Sequence, residues 1–345
     1  MNKLNIDRQE SEVLNRAITH WENDGLLNYE QANSLRQSIM VKGFDWMRLA
    51  KYSFWIALFC GLVAVGSLLI NESILTFIRS LYNIPDFVLC IIASIAAFLS
   101  FYFGHYWSIK HPEKVFSNQT FIFFGISFTA VAIIFLGKTF DNHSGHFSLL
   151  ILLGSIIYGV LAFRLQSRFI WIFTLIALGC WYGAETGYQT NWAYYFLGMN
   201  YPLRFFVFGF LIVCFCFLLN NKKWFNPFSE LTYIAGLVYF FLALWILSLI
   251  GNLDNLDTWW HIKQINLIYW SIFALTIGIG TLIYGLKSGD AIAREFGITF
   301  VLILIYTKYF EFLWIPTNKA LFFSILALSF WLIGRKAEKI WNIKK

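Results

Sequence analysis

Runs of apolar residues such as "FVLCIIASIAAFLSFYFGHY", residues 87–106, recur along almost the whole chain. About twenty residues at the helical rise match the thickness of a bilayer's hydrocarbon layer. We read about ten such spans, near 52–70, 87–106, 119–137, 147–163, 169–184, 203–219, 231–250, 265–285, 295–314 and 319–334. Inside hydrocarbon every backbone amide must be paired within its own element, which leaves helices or closed barrels. Barrel strands are shorter and alternate in polarity, whereas these runs are continuously apolar. Composition agrees: 59% of the 345 residues are hydrophobic and 13% charged, against about a quarter charged in ordinary soluble domains. The expected fold class is therefore all-α, a polytopic transmembrane helix bundle behind a short N-terminal helical hairpin. Residues 1–51 form the cytoplasmic amphipathic hairpin, 52–334 the bundle, and 335–345 a basic cytoplasmic tail.

Lysine and arginine set the orientation, because cytoplasmic loops carry an excess of them. With the N-terminus inside, the inner segments hold Lys3, Arg8, Arg16, Arg36, Lys42, Arg48, Lys51, Lys110, Lys114, Arg164, Arg168, Lys222, Lys223, Lys287, Arg294, Arg335, Lys336, Lys339, Lys344 and Lys345. Only Arg79, Lys138, Arg204, Lys263, Lys308 and Lys319 fall outside. Both termini are expected in the cytoplasm. The net charge of +7 then reflects topology, and nucleic acid is not an expected partner. About fifty mostly polar residues precede the first apolar run, so no cleavable signal peptide is read there.

Aromatic residues make up 20% of the chain and many stand where a span meets water, among them Tyr52, Trp55, Trp107, Trp192, Trp224, Trp259 and Trp260. Amphipathic rings favour the headgroup zone, so these read as belt anchors. The five cysteines, Cys60, Cys90, Cys180, Cys214 and Cys216, lie in apolar runs without metal or disulfide spacing.

The opening stretch "LNRAITHWENDGLLNYEQANSLRQSI", residues 14–39, is different in kind. Val13, Leu14, Ala17, Ile18 and Trp21 recur on one helical face. Gly25 stands where a left-handed cap ends a helix. Asn28 and Gln31 have the spacing of a capping box that opens a second helix, with Ala32, Leu35 and Ile39 as its stripe and Leu26 and Leu27 in the connection. Two short stripes bury too little surface to stand alone. The hairpin should therefore dock on something, the membrane surface, the cytoplasmic loops, a second copy or a protein partner, the last two through residues 1–44. A helix-turn-helix reader of DNA is disfavoured by charge: Leu4–Ile39 holds Arg8, Arg16 and Arg36 against Asp7, Glu10, Glu12, Glu22, Asp24 and Glu30, where a phosphate-binding surface should be basic.

Trp21, Gly25, Leu26, Leu27, Glu30, Gln31, Ala32 and Leu35 together resemble the N-terminal signature of a bacterial membrane-protein family catalogued as domain of unknown function 2157. The stretch "GITFVLILIYTKYFEF…ALFFSILALSFWLIGRKAE" is similar to that family's last two spans. The resemblance implies a multi-pass protein of the bacterial cytoplasmic membrane with a short cytoplasmic helical segment. It implies no activity.

Catalytic constellations are missing: there is no HExxH, GxSxG or P-loop, and "LKSGDA" lacks the first glycine of a GxGD motif. No cofactor is expected and an enzyme is disfavoured. The weaker features are few. Lys308 and Glu311 are three apart on the ninth span and can pair; ionisable groups in spans are costly and often functional. Asp141, His143 and His146 cluster in an outer loop as weak metal candidates, with a solvated loop favoured. Asp254 and Asp257 beside Trp259 and Trp260 read as an interfacial loop. Gly179, Gly183 and Gly187 have the spacing for close helix approach, and Glu185 beside them reads as solvated. A membrane-embedded binding, regulatory or scaffold role is favoured, with transport of an apolar or lipid-like molecule as the alternative.

Overall fold

A computed structural model describes residues 4–6, 8–41, 84–112, 114–140, 146–220, 222–253, 259–314 and 318–343, with isolated positions between 53 and 63. The chain divides into two compact units, residues 1–135 and 136–345. Among the described residues eight helices are long and apolar enough to cross a membrane. A further apolar stretch, Lys319–Leu332, matches the tenth expected span. The expected first span, 52–70, lies outside the described residues apart from isolated positions. The chain is a multi-pass membrane protein with an all-α bundle.

The first unit opens with β1 (Leu4–Ile6), α1 (Arg8–Asn23), α2 (Tyr29–Ser38) and β2 (Ile39–Val41). The two short strands pair in parallel, Leu4 opposite Ile39 and Ile6 opposite Val41. Parallel pairing needs a long crossover, and the α1–α2 hairpin supplies it. The strand pair corrects one detail of the sequence reading, since Ile39 stands in β2 and not on the stripe of α2. Further along the unit, α3 (Asp86–Lys110) and α4 (Val115–Thr139) follow. They pack antiparallel: Phe101 of α3 lies over Gly125 of α4, and Trp107 meets Phe121 edge-on at 5.3 Å.

The second unit holds α5 (Ser148–Leu165), α6 (Arg168–Tyr188), α7 (Tyr201–Leu219), α8 (Asn226–Ile250), a 3-10 turn (Gln264–Leu267), α9 (Ile268–Ser288), α10 (Ala291–Leu313) and α11 (Lys319–Ile343). Helices α5/α6, α7/α8 and α9/α10 form three hairpins, and α8 also packs against α6, α9 and α10. The expected tight turn at 164–168 is present: Gln166 is left-handed at φ 49°, and the Ser167 hydroxyl accepts from the Ile170 amide at 3.3 Å. Residues 335–343, read as a tail, continue the helix of α11.

Apolar helices gain little by leaving lipid for one another, so packing must come from shape. The α7/α8 crossing illustrates this. A methyl group on Gly209 would stand 2.8 Å from the Cα of Phe240 and 2.9 Å from the carbonyl oxygen of Gly236. Only glycine permits that approach. Gly179, Gly183 and Gly187 also face neighbours inside the chain, Tyr239, Phe205 and Tyr201 respectively, as their spacing suggested. The core gathers Leu237, Phe241 and Leu244 of α8 against Ala274 of α9 and Phe300 and Leu304 of α10. Cys90 and Cys216 are buried, Cys214 is half-buried, Cys60 and Cys180 are exposed, and the described cysteines are free.

Candidate functional site

Two places carry the expected site residues: the N-terminal hairpin, and one end of the second unit. In the hairpin, α1 stops because Gly25 takes φ +72°. The Leu26 amide then donates back to the Trp21 carbonyl at 2.9 Å, as does that of Leu27 at 3.2 Å. The capping box forms with both reciprocal bonds. The Gln31 amide donates to Asn28 Oδ1 at 2.8 Å, and the Asn28 amide donates to Gln31 Oε1 at 3.1 Å. Ile18 of α1 and Ala32 of α2 are both buried. Arg36 of α2 crosses to α1, donating to Glu22 Oε2 at 2.9 Å and to the Thr19 hydroxyl at 3.0 Å. That cross-link was not legible as a pair seventeen and fourteen residues apart. Ala17 and Leu27 are half-buried, whereas Leu14, Trp21, Leu26 and Leu35 are exposed, Trp21 by 44% and Leu26 by 71%.

In the second unit α6 and α8 finish, and α7 begins, at one end of the bundle. Three polar clusters sit there. The first is the expected pair on α10. Lys308 Nζ lies 2.5 Å from Glu311 Oε2, and it also donates to the carbonyl of Ser248 on α8 at 2.6 Å. The last carbonyls of a helix have no partner within it, and a cation there also suits the helix dipole. Lys308 thus ties α10 to the last turn of α8. Trp245 donates to the Thr307 hydroxyl at 3.0 Å one turn away, which fastens the same two helices again. Both side chains of the pair are mostly buried, and Glu311 Oε1 has no hydrogen-bond partner.

The second cluster centres on Arg204, which is completely buried in the first turn of α7. Its Nε donates to the Met199 carbonyl at 2.9 Å and its Nη2 to the Tyr194 carbonyl at 2.8 Å. The guanidinium lies over Tyr201 at 4.5 Å and Phe196 at 5.5 Å, while Nη1 has no partner. The loop that Arg204 holds is clasped to the end of α8. Asn200 caps α7, accepting from the Leu203 amide at 3.1 Å, and its Nδ2 donates to the Gly251 carbonyl at 2.8 Å. Asn252 Oδ1 accepts from the Asn200 amide at 2.9 Å, and Asn252 Nδ2 donates to the Gly198 carbonyl at 2.9 Å. By its place in the chain alone, Arg204 is one of the outer cations. An arginine four residues past an asparagine cap, flanked by Tyr201 and Phe196, was the available signal.

The third cluster corrects the expectation that Glu185 is solvated. Ser148 donates to Glu185 Oε2 at 2.6 Å, His146 Nε2 lies 2.9 Å from the same oxygen, and Gln189 donates to Oε1 at 2.8 Å. The His146 ring stacks on Tyr188 at 3.8 Å. His146 therefore has a carboxylate neighbour, while Asp141 and His143 lie outside the described residues. Among the described residues no three His, Cys, Asp or Glu side chains are grouped to hold a metal ion. Asp254 and Asp257 also lie outside them; Trp259 donates to the Leu249 carbonyl at 3.0 Å.

No family model, curated protein or solved structure matches the chain. The three clusters consist of charges spent on backbone carbonyls, caps and one another. They hold helix ends together, and they do not align a nucleophile with a base.

Proposed function

We propose that the protein is a membrane-embedded binding or regulatory protein whose N-terminal hairpin docks onto a protein partner or a second copy. One observation carries this reading: a hairpin shaped by a capping box, a glycine cap and an Arg36–Glu22 link leaves Trp21, Leu26 and Leu35 in the open. A segment built to stand alone would turn those side chains inward. Deleting residues 1–44 tests it. Membrane insertion should persist, while a co-purifying partner or an oligomer seen by light scattering in detergent is lost. Unchanged assembly removes the idea.

Membership of the domain of unknown function 2157 family belongs to the same proposal, supported by the motif through Trp21, Gly25, Gln31 and Leu35. So do the bacterial cytoplasmic membrane and cytoplasmic termini, which rest on the lysine and arginine count. Labelling of terminal tags from either side of sealed vesicles tests the orientation. A second reading, transport of an apolar or lipid-like molecule, is favoured by where the charges stand. The middle turns of α7, α8 and α9 carry none, which suits a cargo without charge at that depth. In loaded vesicles Lys308→Met or Glu311→Gln should then alter flux; equal flux in variant and parent leaves the pair as a helix tie alone.

A further inference from the structure

A cleft of about 340 Å³ runs between α7 and α9, with α8 as its floor. Phe210, Val213 and Phe217 line one wall, Ile277, Gly280 and Tyr284 the other. From Phe210 to Phe217 is about 10 Å along a helix, less than the ~15 Å that one leaflet's hydrocarbon spans. One end is closed where Phe206 of α7 meets Phe273 of α9 edge-on at 5.9 Å. The other end reaches Tyr233, whose hydroxyl donates to Asp290 at 2.8 Å. A side chain begun at Gly280 meets nothing within 4 Å, so the wall there is open space and not tight packing.

The open end has a consistent charge. Lys222 and Lys223 in the α7–α8 connection and Lys287 in the last turn of α9 are exposed, and Arg294 stands one turn into α10. Asp290 is engaged by Tyr233 and by the amide of Ala293, which it caps at 3.0 Å. Glu230 faces Arg168, and Glu295 is exposed in the first turns of α10. The cations therefore outnumber the free acids where a headgroup would stand. An acyl chain gains little by exchanging other lipid tails for this cleft, because both are apolar. Selectivity must come from the headgroup, and basic sites between helices near the membrane surface suit anionic ones.

We propose that this cleft is a binding site for an anionic phospholipid. One acyl chain lies along Phe210, Val213 and Gly280, and the phosphate stands among Lys222, Lys223 and Lys287. This site is independent of the hairpin and would survive failure of the docking reading. The test uses the full chain in vesicles with phosphatidylglycerol carrying a photoactivatable group in its acyl chain. Labelled peptides should concentrate on 210–217 and 277–284, not on the exposed α5 face of Leu149, Ile156 and Val160. Unlabelled phosphatidylglycerol should compete about tenfold better than phosphatidylcholine. Gly280→Trp should fill the cleft and remove its labelling at unchanged helicity. Combined Lys222→Gln, Lys223→Gln and Lys287→Gln should keep the labelling but equalise the two competitors. Uniform labelling of every exposed apolar face, or equal competition against the unaltered chain, overturns the proposal.

Discussion

The two ends of the second unit handle charge in opposite ways. Where α6 and α8 finish, Arg204 is completely buried, Lys308 and Glu311 are nearly so, and Glu185 is held by three side chains. Where α7 and α9 finish, Lys222, Lys223, Lys287 and Arg168 stand in the open. The Arg168–Glu230 contact there is 3.9 Å long with both side chains about 60% exposed. The first end uses charge as fastening. Each buried cation there donates to carbonyls at a helix end or in an irregular loop, Arg204 to those of Met199 and Tyr194 and Lys308 to that of Ser248. The second end leaves its cations free for water or headgroups. A count of lysines and arginines treats both ends alike, yet only the first buries its cations as ties; at the second the tie is the carboxylate of Asp290.

Substitutions that remove charge should separate the ends, with unfolding in detergent followed by sodium dodecyl sulfate titration as the measurement. Arg204→Met should have the largest effect. It removes two charged hydrogen bonds, to the carbonyls of Met199 and Tyr194, and two ring contacts, a loss of about 3–5 kcal/mol at ~1.5–3 kcal/mol for each hydrogen bond to a charged group. Lys308→Met comes next at about 3 kcal/mol, because it strands a mostly buried Glu311. Adding Glu311→Gln to it should recover part of that loss. Glu185→Gln keeps the shape but weakens three hydrogen bonds, so about 1–2 kcal/mol is expected. Arg168→Ala should be smallest, within about 1 kcal/mol and dependent on salt. A loss at Arg168 equal to that at Arg204 would break the contrast between the ends.

Much of the architecture was legible because its causes are local. Hydrocarbon thickness fixes the length of an apolar run, and spans from 87 onward fall on helices within a few residues. The capping box at Asn28 and Gln31 and the stop at Gly25 were legible for the same reason, since both involve residues three to five apart. The strand pair was missed because Leu4 and Ile39 are far apart in sequence and their partnership depends on how the hairpin folds. The polar clusters were only half legible. Lys308 and Glu311 announced themselves by spacing, whereas the third partner, the Ser248 carbonyl, is sixty residues away and has no side-chain signature. By sequence Glu185 is an interfacial acid; Ser148 at the start of α5 and His146 just before it are brought to it only by the fold.

Sequence by itself determined that this chain lives in a bilayer, how its apolar helices are cut, and that a separately capped helical pair precedes them. Those outcomes follow from transfer of side chains and backbone into hydrocarbon, and from hydrogen bonds within one or two turns. Only the tertiary structure decided which cations are buried and which are free, where glycine lets α7 touch α8, and that a cleft opens between α7 and α9. The physical reason is that lipid solvates an apolar face as well as another helix does. Helix partners are therefore chosen by shape and by scattered polar contacts, which a one-dimensional pattern does not record.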